Sequence, residues 1–169
     1  MTLAPRAKNS HHWSRRVALA AMAVVASAGM VITDPGPASA AGPVGGGLLV
    51  DRATGRCLDS NENGSVYTSR CDFGNGYLHW SVYTSPFGQY NLRSDATGRC
   101  LDGNTAGVVY TSPCDGNNNY QNWAAGFGGN PTLIFGMQTS RCLDSNEVGH
   151  VYTSACDVNN PYELWAFAI

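Results

Sequence analysis

Beyond residue 40 the sequence has no lysine. Only six arginines (52, 56, 70, 93, 99 and 141) carry its positive charge, against eleven acidic residues, for a net charge of −5 over residues 41–169. A chain of that sign repels a phosphate backbone, so nucleic acid is excluded as an expected partner. A helical period is missing as well. No window repeats apolar residues at i, i+3, i+4 and i+7, and no basic amphipathic helix is offered to a membrane surface. No cysteine is left without a counterpart, and no histidine stands at ligand spacing from one, which argues against a thiol nucleophile or a zinc set. The absences leave an all-β reading with no cofactor and no metal.

Residues 1–40 stand apart. Arg6, Lys8, Arg15 and Arg16 precede an Ala-rich apolar run over 17–33, and Ala38-Ser39-Ala40 fits a small-x-small cleavage site before Ala41. This pattern predicts a secretory signal peptide and a secreted, extracellular product with no membrane insertion. Ser14-Arg15-Arg16 hints at twin-arginine export, although Ala18 and Ala20 replace the bulkier or basic residues of that motif. Residues 41–47, rich in glycine, read as a flexible segment.

What the remainder contains is a word written three times. Arg-Cys-Leu-Asp, a glycine, then Val-Tyr-Thr-Ser and a second cysteine occupy residues 56–71, 99–114 and 141–156, copies 43 and then 42 residues apart. Trp80, Trp123 and Trp165 each follow the second cysteine by nine residues. A period in this range signals a repeat architecture. Each unit reads as four short strands, placed in the first unit at 48–50, 56–58, 66–69 and 78–82, with a turn at 52–55 and a polar loop at 60–64. Residues 84–88 and 126–130 read as linkers. Alternation puts Leu58, Val66 and Trp80 in the core, with Leu101, Val109, Trp123, Leu143, Val151 and Trp165 as equivalents, and turns Tyr67, Tyr110 and Tyr152 outward. Three units are few for a propeller, and its Trp-Asp signature is missing. The expected fold is a β-trefoil over 48–169, with repeats 48–88, 89–130 and 131–169.

Six cysteines allow fifteen pairings. Each unit owns two, set 14 residues apart about a central glycine (Gly64, Gly107, Gly149), which predicts bridges Cys57–Cys71, Cys100–Cys114 and Cys142–Cys156. Export into an oxidising space agrees with that pairing.

The Cys-Leu-Asp run followed by Gln121-x-Trp123 resembles the ricin-type β-trefoil lectins, with Leu78 and Glu163 replacing the glutamine in the other units. The match to the actinohivin-like three-repeat actinomycete lectins is closer. Residues 54–61, 64–68 and 120–123 resemble that family's Thr-Gly-Arg-x-Leu-Asp-Ser-Asn, Gly-x-Val-Tyr-Thr and Tyr-Gln-x-Trp. The resemblance implies a glycan-binding protein with one shallow sugar site per unit and a preference for mannose-type glycans. It implies site residues Asp59, Tyr67, Asp72 and Tyr77 in the first unit. The second would use Asp102, Tyr110, Asp115 and Tyr120, and the third Asp144, Tyr152, Asp157 and Tyr162. In those lectins the third position of each set is usually asparagine, and the loop leading to the tyrosine is one residue shorter, so Asn117 or a neighbour is an alternative there.

These residue types suit a sugar. An ionised carboxylate accepts from two vicinal hydroxyls, and a tyrosine offers an apolar face to C–H bonds and a hydroxyl at the rim. One such site holds a saccharide at roughly millimolar strength, about 4 kcal/mol, and three on one rigid body gain avidity. Competing readings remain. A loop-opening aspartate commonly bonds its own backbone. Asp59 with Asp72 has the composition of a glycosidase pair. A secreted trefoil can also act as a protein-binding inhibitor or toxin-associated module. The expectation is a monomeric lectin without enzymatic activity.

Overall fold

The computed structural model describes residues 42–128 and 130–168, so the expected signal segment lies outside the described residues. Thirteen antiparallel strands follow in order: β1 Gly45–Asp51, β2 Cys57–Ser60, β3 Val66–Ser69, β4 His79–Thr84, β5 Tyr90–Ser94, β6 Cys100–Gly103, β7 Val109–Ser112, β8 Trp123–Ala124, β9 Thr132–Leu133, β10 Phe135–Gly136, β11 Arg141–Ser145, β12 Val151–Ser154 and β13 Leu164–Ala168. Strand one of the third repeat is split into β9 and β10, which accounts for one strand beyond the expected twelve. The interruption falls at Ile134, whose side chain is buried and whose carbonyl accepts from Leu143 N–H at 2.9 Å.

Six positions close a ring: β1 pairs with β4, β4 with β5, β5 with β8, β8 with β10, and β9 with β13, which returns to β1. The hairpins β2–β3, β6–β7 and β11–β12 stand off this barrel. They meet one another through single bridges, Ser65 to Tyr110, Tyr67 to His150 and Val108 to Tyr152. A barrel capped by three hairpins is the β-trefoil. All nine expected core residues are buried in one cluster, joined by Leu49, Leu92 and Ile134, one from the first strand of each repeat.

Three expectations are corrected. The glycine-rich segment does not stay flexible to residue 47, because Gly45, Gly46 and Gly47 pair with Val82, Ser81 and Trp80. The reason is close approach. A Cβ on Gly46 would sit 2.4 Å from the Trp80 carbonyl oxygen, at a φ of +155°, so glycine lets the strand lie against the barrel. The second strand runs to Ser60, which puts Asp59 inside a strand rather than at the mouth of a loop. Residues 126–130 are more than a linker, since the Phe127 ring packs against Tyr90 at 5.3 Å and Phe167 at 5.1 Å.

The three disulfides form as the repeat predicts, each with Cα atoms 5.0 Å apart. Such bridges belong to an oxidising compartment.

Candidate functional site

Hairpin register decides what meets the aspartates. Asp59 lies directly across from Tyr67, Asp102 from Tyr110 and Asp144 from Tyr152, and cross-strand partners share one face of the sheet. The preceding leucine pins each aspartate in depth. Trp80, Trp123 and Trp165 donate their indole N–H to the carbonyls of Leu58, Leu101 and Leu143 at 2.9, 3.0 and 3.0 Å. The core tryptophan of each repeat therefore sets the height of the carboxylate beside it. A serine from the opposite strand fixes its orientation: Ser69, Ser112 and Ser154 donate to Asp59, Asp102 and Asp144 at 2.7, 2.7 and 2.8 Å.

The second wall is a one-turn 3-10 helix in each repeat, at Gly76–Leu78, Asn119–Gln121 and Pro161–Glu163. An asparagine caps each turn. The side-chain oxygens of Asn75, Asn118 and Asn160 accept from the backbone N–H of Tyr77, Tyr120 and Tyr162, each at 3.1 Å. This is the ordinary capping bond of a helix start. The amide nitrogen of the same asparagine reaches the aspartate, Asn118 to Asp102 at 3.0 Å and Asn160 to Asp144 at 3.3 Å. One asparagine thus ties the acid on the hairpin to the tyrosine on the turn.

The result is a polar hollow. Around Asp59 it measures about 310 Å³ and is lined by Ser60, Asn61, Glu62, Tyr67, Asn75 and Tyr77 among others. Around Asp144 it measures about 390 Å³ and has the corresponding residues, including Glu147, Tyr152, Asn160 and Tyr162. The aspartates form the floor, with only 2–4 % of their surface exposed, and the tyrosines form the sides. Oδ1 of Asp59 and Oδ1 of Asp102 are buried without a hydrogen-bond partner among the described residues. In the third repeat that oxygen takes the Ser145 N–H at 2.8 Å.

Electrostatics keep the phenols protonated. Burial, then the facing aspartate, raises Tyr67, Tyr110 and Tyr152 above the usual tyrosine value. At the rim, Tyr77 donates to Glu62 at 3.0 Å and Tyr162 to Glu147 at 3.1 Å, and these bonds raise both phenols. The second repeat has Thr105 in place of that glutamate, so the rims are not identical.

The profile of the Ricin-type beta-trefoil lectin domain matches residues 45–165. The chain belongs to this lectin family. No curated protein sequence matches it. Among solved structures, this lectin chain is similar to the designed three-fold symmetric protein ThreeFoil at a TM-score of 0.63, with 20 % identity over 72 % of this chain and 96 % of that one. The Haemophilus ducreyi cytolethal distending toxin gives a TM-score of 0.63, with 14 % identity over 73 % of this chain and 82 % of that one. The hemolytic lectin CEL-III gives 0.64, with 22 % identity over 78 % of this chain and 32 % of that one. Membership of a lectin family makes carbohydrate binding the domain's function class.

The aspartate after each second cysteine is the part of the expected site that the structure does not assemble. Asp72 does not line the hollow beside Asp59, nor Asp157 the one beside Asp144. Asp72, Asp115 and Asp157 are exposed and bond their own loop, accepting from the N–H of Gly74, Asn117 and Asn159 at 2.8, 2.9 and 2.9 Å. These are the residues that behave as local turn formers. Asn75, Asn118 and Asn160 take the third place instead. The glutamine of Gln-x-Trp proves to be a brace. Gln121, buried, accepts from Asp115 N–H at 2.9 Å and donates to the Pro113 carbonyl at 3.0 Å.

Two other groupings resemble sites. Cys142, Cys156 and Glu163 converge, but both sulfurs are in a disulfide and offer no thiolate to a metal. A larger hollow, about 690 Å³, is lined by Val44, Val82, Tyr90, Phe127 and Phe167 with glycine backbone. It has no carboxylate or side-chain amide to fix a sugar hydroxyl, so the smaller polar hollows are the better site.

Proposed function

We propose that the protein is a secreted, monomeric lectin. Each of its three repeats holds one saccharide between the aspartate floor and two tyrosines, with a preference for mannose-type glycans. The observation that carries this reading is the asparagine that joins acid to tyrosine in the second and third repeats and, in the first, caps the tyrosine's turn beside the acid. It supports the mannose preference too, because asparagine is the residue the actinohivin-like lectins usually have at the third position. A pyranose diol takes two acceptor contacts from the aspartate, one donor from the asparagine amide, and stacking from a phenol ring.

The arrangement supports binding rather than turnover. Asp72 does not join Asp59, and Glu62, the other acid of the first hollow, is exposed and bonded to Tyr77. In the second repeat Thr105 takes its place, so an acid pair is not part of the repeated design. Glycan-array binding of the protein tests the proposal beside the triple variant Tyr77→Ala, Tyr120→Ala, Tyr162→Ala. The expected result is binding to mannose-terminated glycans, lost in the triple variant while its melting temperature is retained. Undiminished binding in that variant, capture of a protein ligand alone, or hydrolysis of chromogenic glycosides would contradict it.

A further inference from the structure

The surroundings of the three aspartates differ in one position. Behind Asp102 stands Gln121, whose Nε2 donates to Asp102 Oδ2 at 3.2 Å and to Ser112 Oγ at 2.5 Å. The first repeat has Leu78 there, and the third has Glu163. Glu163 is 1 % exposed, and its Oε2 accepts the Asp157 N–H at 2.8 Å, as the glutamine oxygen does in repeat two. Its Oε1 lies 2.7 Å from Ser154 Oγ, and the same hydroxyl lies 2.8 Å from Asp144 Oδ2. Asn160 Nδ2 is 3.3 Å from each of these two oxygens.

A serine hydroxyl has one proton and donates to one acceptor. With both carboxyls ionised, the oxygen that Ser154 does not serve would have only the long contact to Asn160 Nδ2 and would face the serine's lone pairs, an unfavourable arrangement for a buried charge. The contact closes when one carboxyl carries a proton and gives it to Ser154 Oγ, while Ser154 gives its own to the other. We propose that Asp144 and Glu163 share one proton through Ser154, and that this proton holds the third saccharide hollow in shape where isolated carboxylates are ionised. The saccharide part rests on the reading above; the shared proton does not.

The surroundings support it. The other titratable groups near the pair are Tyr152, Tyr162, Asp157, Glu147 at the rim of the same hollow and, through Ser145, Asp51, all neutral or acidic. Arg141 is turned to the Thr153 carbonyl on the neighbouring strand. Burial holds Asp144 above the ordinary aspartate value of 3.8. The bonds from Ser154, Ser145 and Asn160 oppose that, and the charge of Glu163 adds to it.

The sign of the pH effect follows. A carboxyl whose folded value is raised leaves the native state holding more protons than the unfolded chain. Stability is therefore full below the ordinary carboxylate range and falls as pH rises through the raised value. The glutamine of repeat two makes the same bonds with no proton to lose. Glu163→Gln therefore copies an arrangement this fold already contains.

The test has two arms on the full protein, each run from about pH 5 to about pH 9. Without ligand, the melting temperature of the parent is expected to fall with rising pH, flattening in Glu163→Gln together with loss of an infrared carboxylic-acid band. With the first two hollows disabled by Tyr77→Ala and Tyr120→Ala, affinity for a mannose oligosaccharide is expected to drop roughly tenfold as pH rises, and to stay flat with Glu163→Gln added. A parent melting profile and infrared spectrum indistinguishable from those of Glu163→Gln would overturn the shared proton. If the ligand-free arm behaves as expected and no variant binds saccharide at any pH, the proton stands and the lectin reading fails.

Discussion

Asp59 is 4 % exposed, yet it has one oxygen held by Ser69 and the other without a protein partner. A buried, preoriented acceptor of this kind has already lost its freedom before a ligand arrives, so a hydroxyl bond to it costs little in ordering. Replacing the carboxylate by the amide of the same shape, Asp59→Asn, removes the charge and turns one acceptor oxygen into a donor. The first hollow should weaken by about 2 kcal/mol, roughly thirtyfold, when measured by calorimetry with the other two hollows disabled. At this scale the aspartates and the first tyrosines were legible through the resemblance to the three-repeat lectins, and alternation turned Tyr67 outward; that Asp59 lies opposite it, inside the strand, came from the structure. The asparagines were legible only as a neighbourhood, Asn117 or a residue beside it. Loops from the second cysteine hold several polar residues, such as Asp115, Asn117, Asn118 and Asn119, and a single 3-10 turn has no period to show which one caps it.

Among elements, the three hairpins are locked together by their central glycines. The carbonyls of Gly149, Gly64 and Gly107 accept from the N–H of Thr68, Thr111 and Thr153 at 2.8, 2.8 and 2.9 Å, each in a different repeat. Arg56 and Arg99, from the same repeats as Thr68 and Thr111, donate to those threonines' carbonyls at 2.8 and 2.5 Å. The repeated arginine is thus a strut beneath the site rather than a ligand group. Gly149 has a φ of +93°, and a Cβ there would stand 2.8 Å from the Thr68 carbonyl oxygen. Gly149→Ala should cost about 1–3 kcal/mol by backbone strain and displaced contact, seen as a lower melting temperature. It should also weaken the first hollow, since Thr68 adjoins Tyr67. The sequence shows such a glycine as the midpoint of its own hairpin. Its grip on the next hairpin is a relation between repeats, which local patterning does not carry.

The whole molecule combines threefold repetition with unequal sites. Each disulfide spans 14 residues of sequence and ties the two ends of one cap hairpin. Closing such a loop stabilises by up to about 3 kcal/mol in the chain-entropy model. Removing one bridge by Cys100→Ala with Cys114→Ala should lower the melting temperature by roughly ten degrees and leave the polar hollows of the other repeats able to bind. Weak single sites on one rigid body gain on the order of 10²–10⁴ in avidity where a glycan array spans them, which is the use the proposed function gives the repetition. The account turns on where a saccharide sits. Titrating the isotope-labelled protein with a mannose oligosaccharide and following side-chain amide signals by NMR tests this most directly. The account predicts shifts at Asn75, Asn118 and Asn160, and shifts confined to other surfaces with these three unmoved would contradict it.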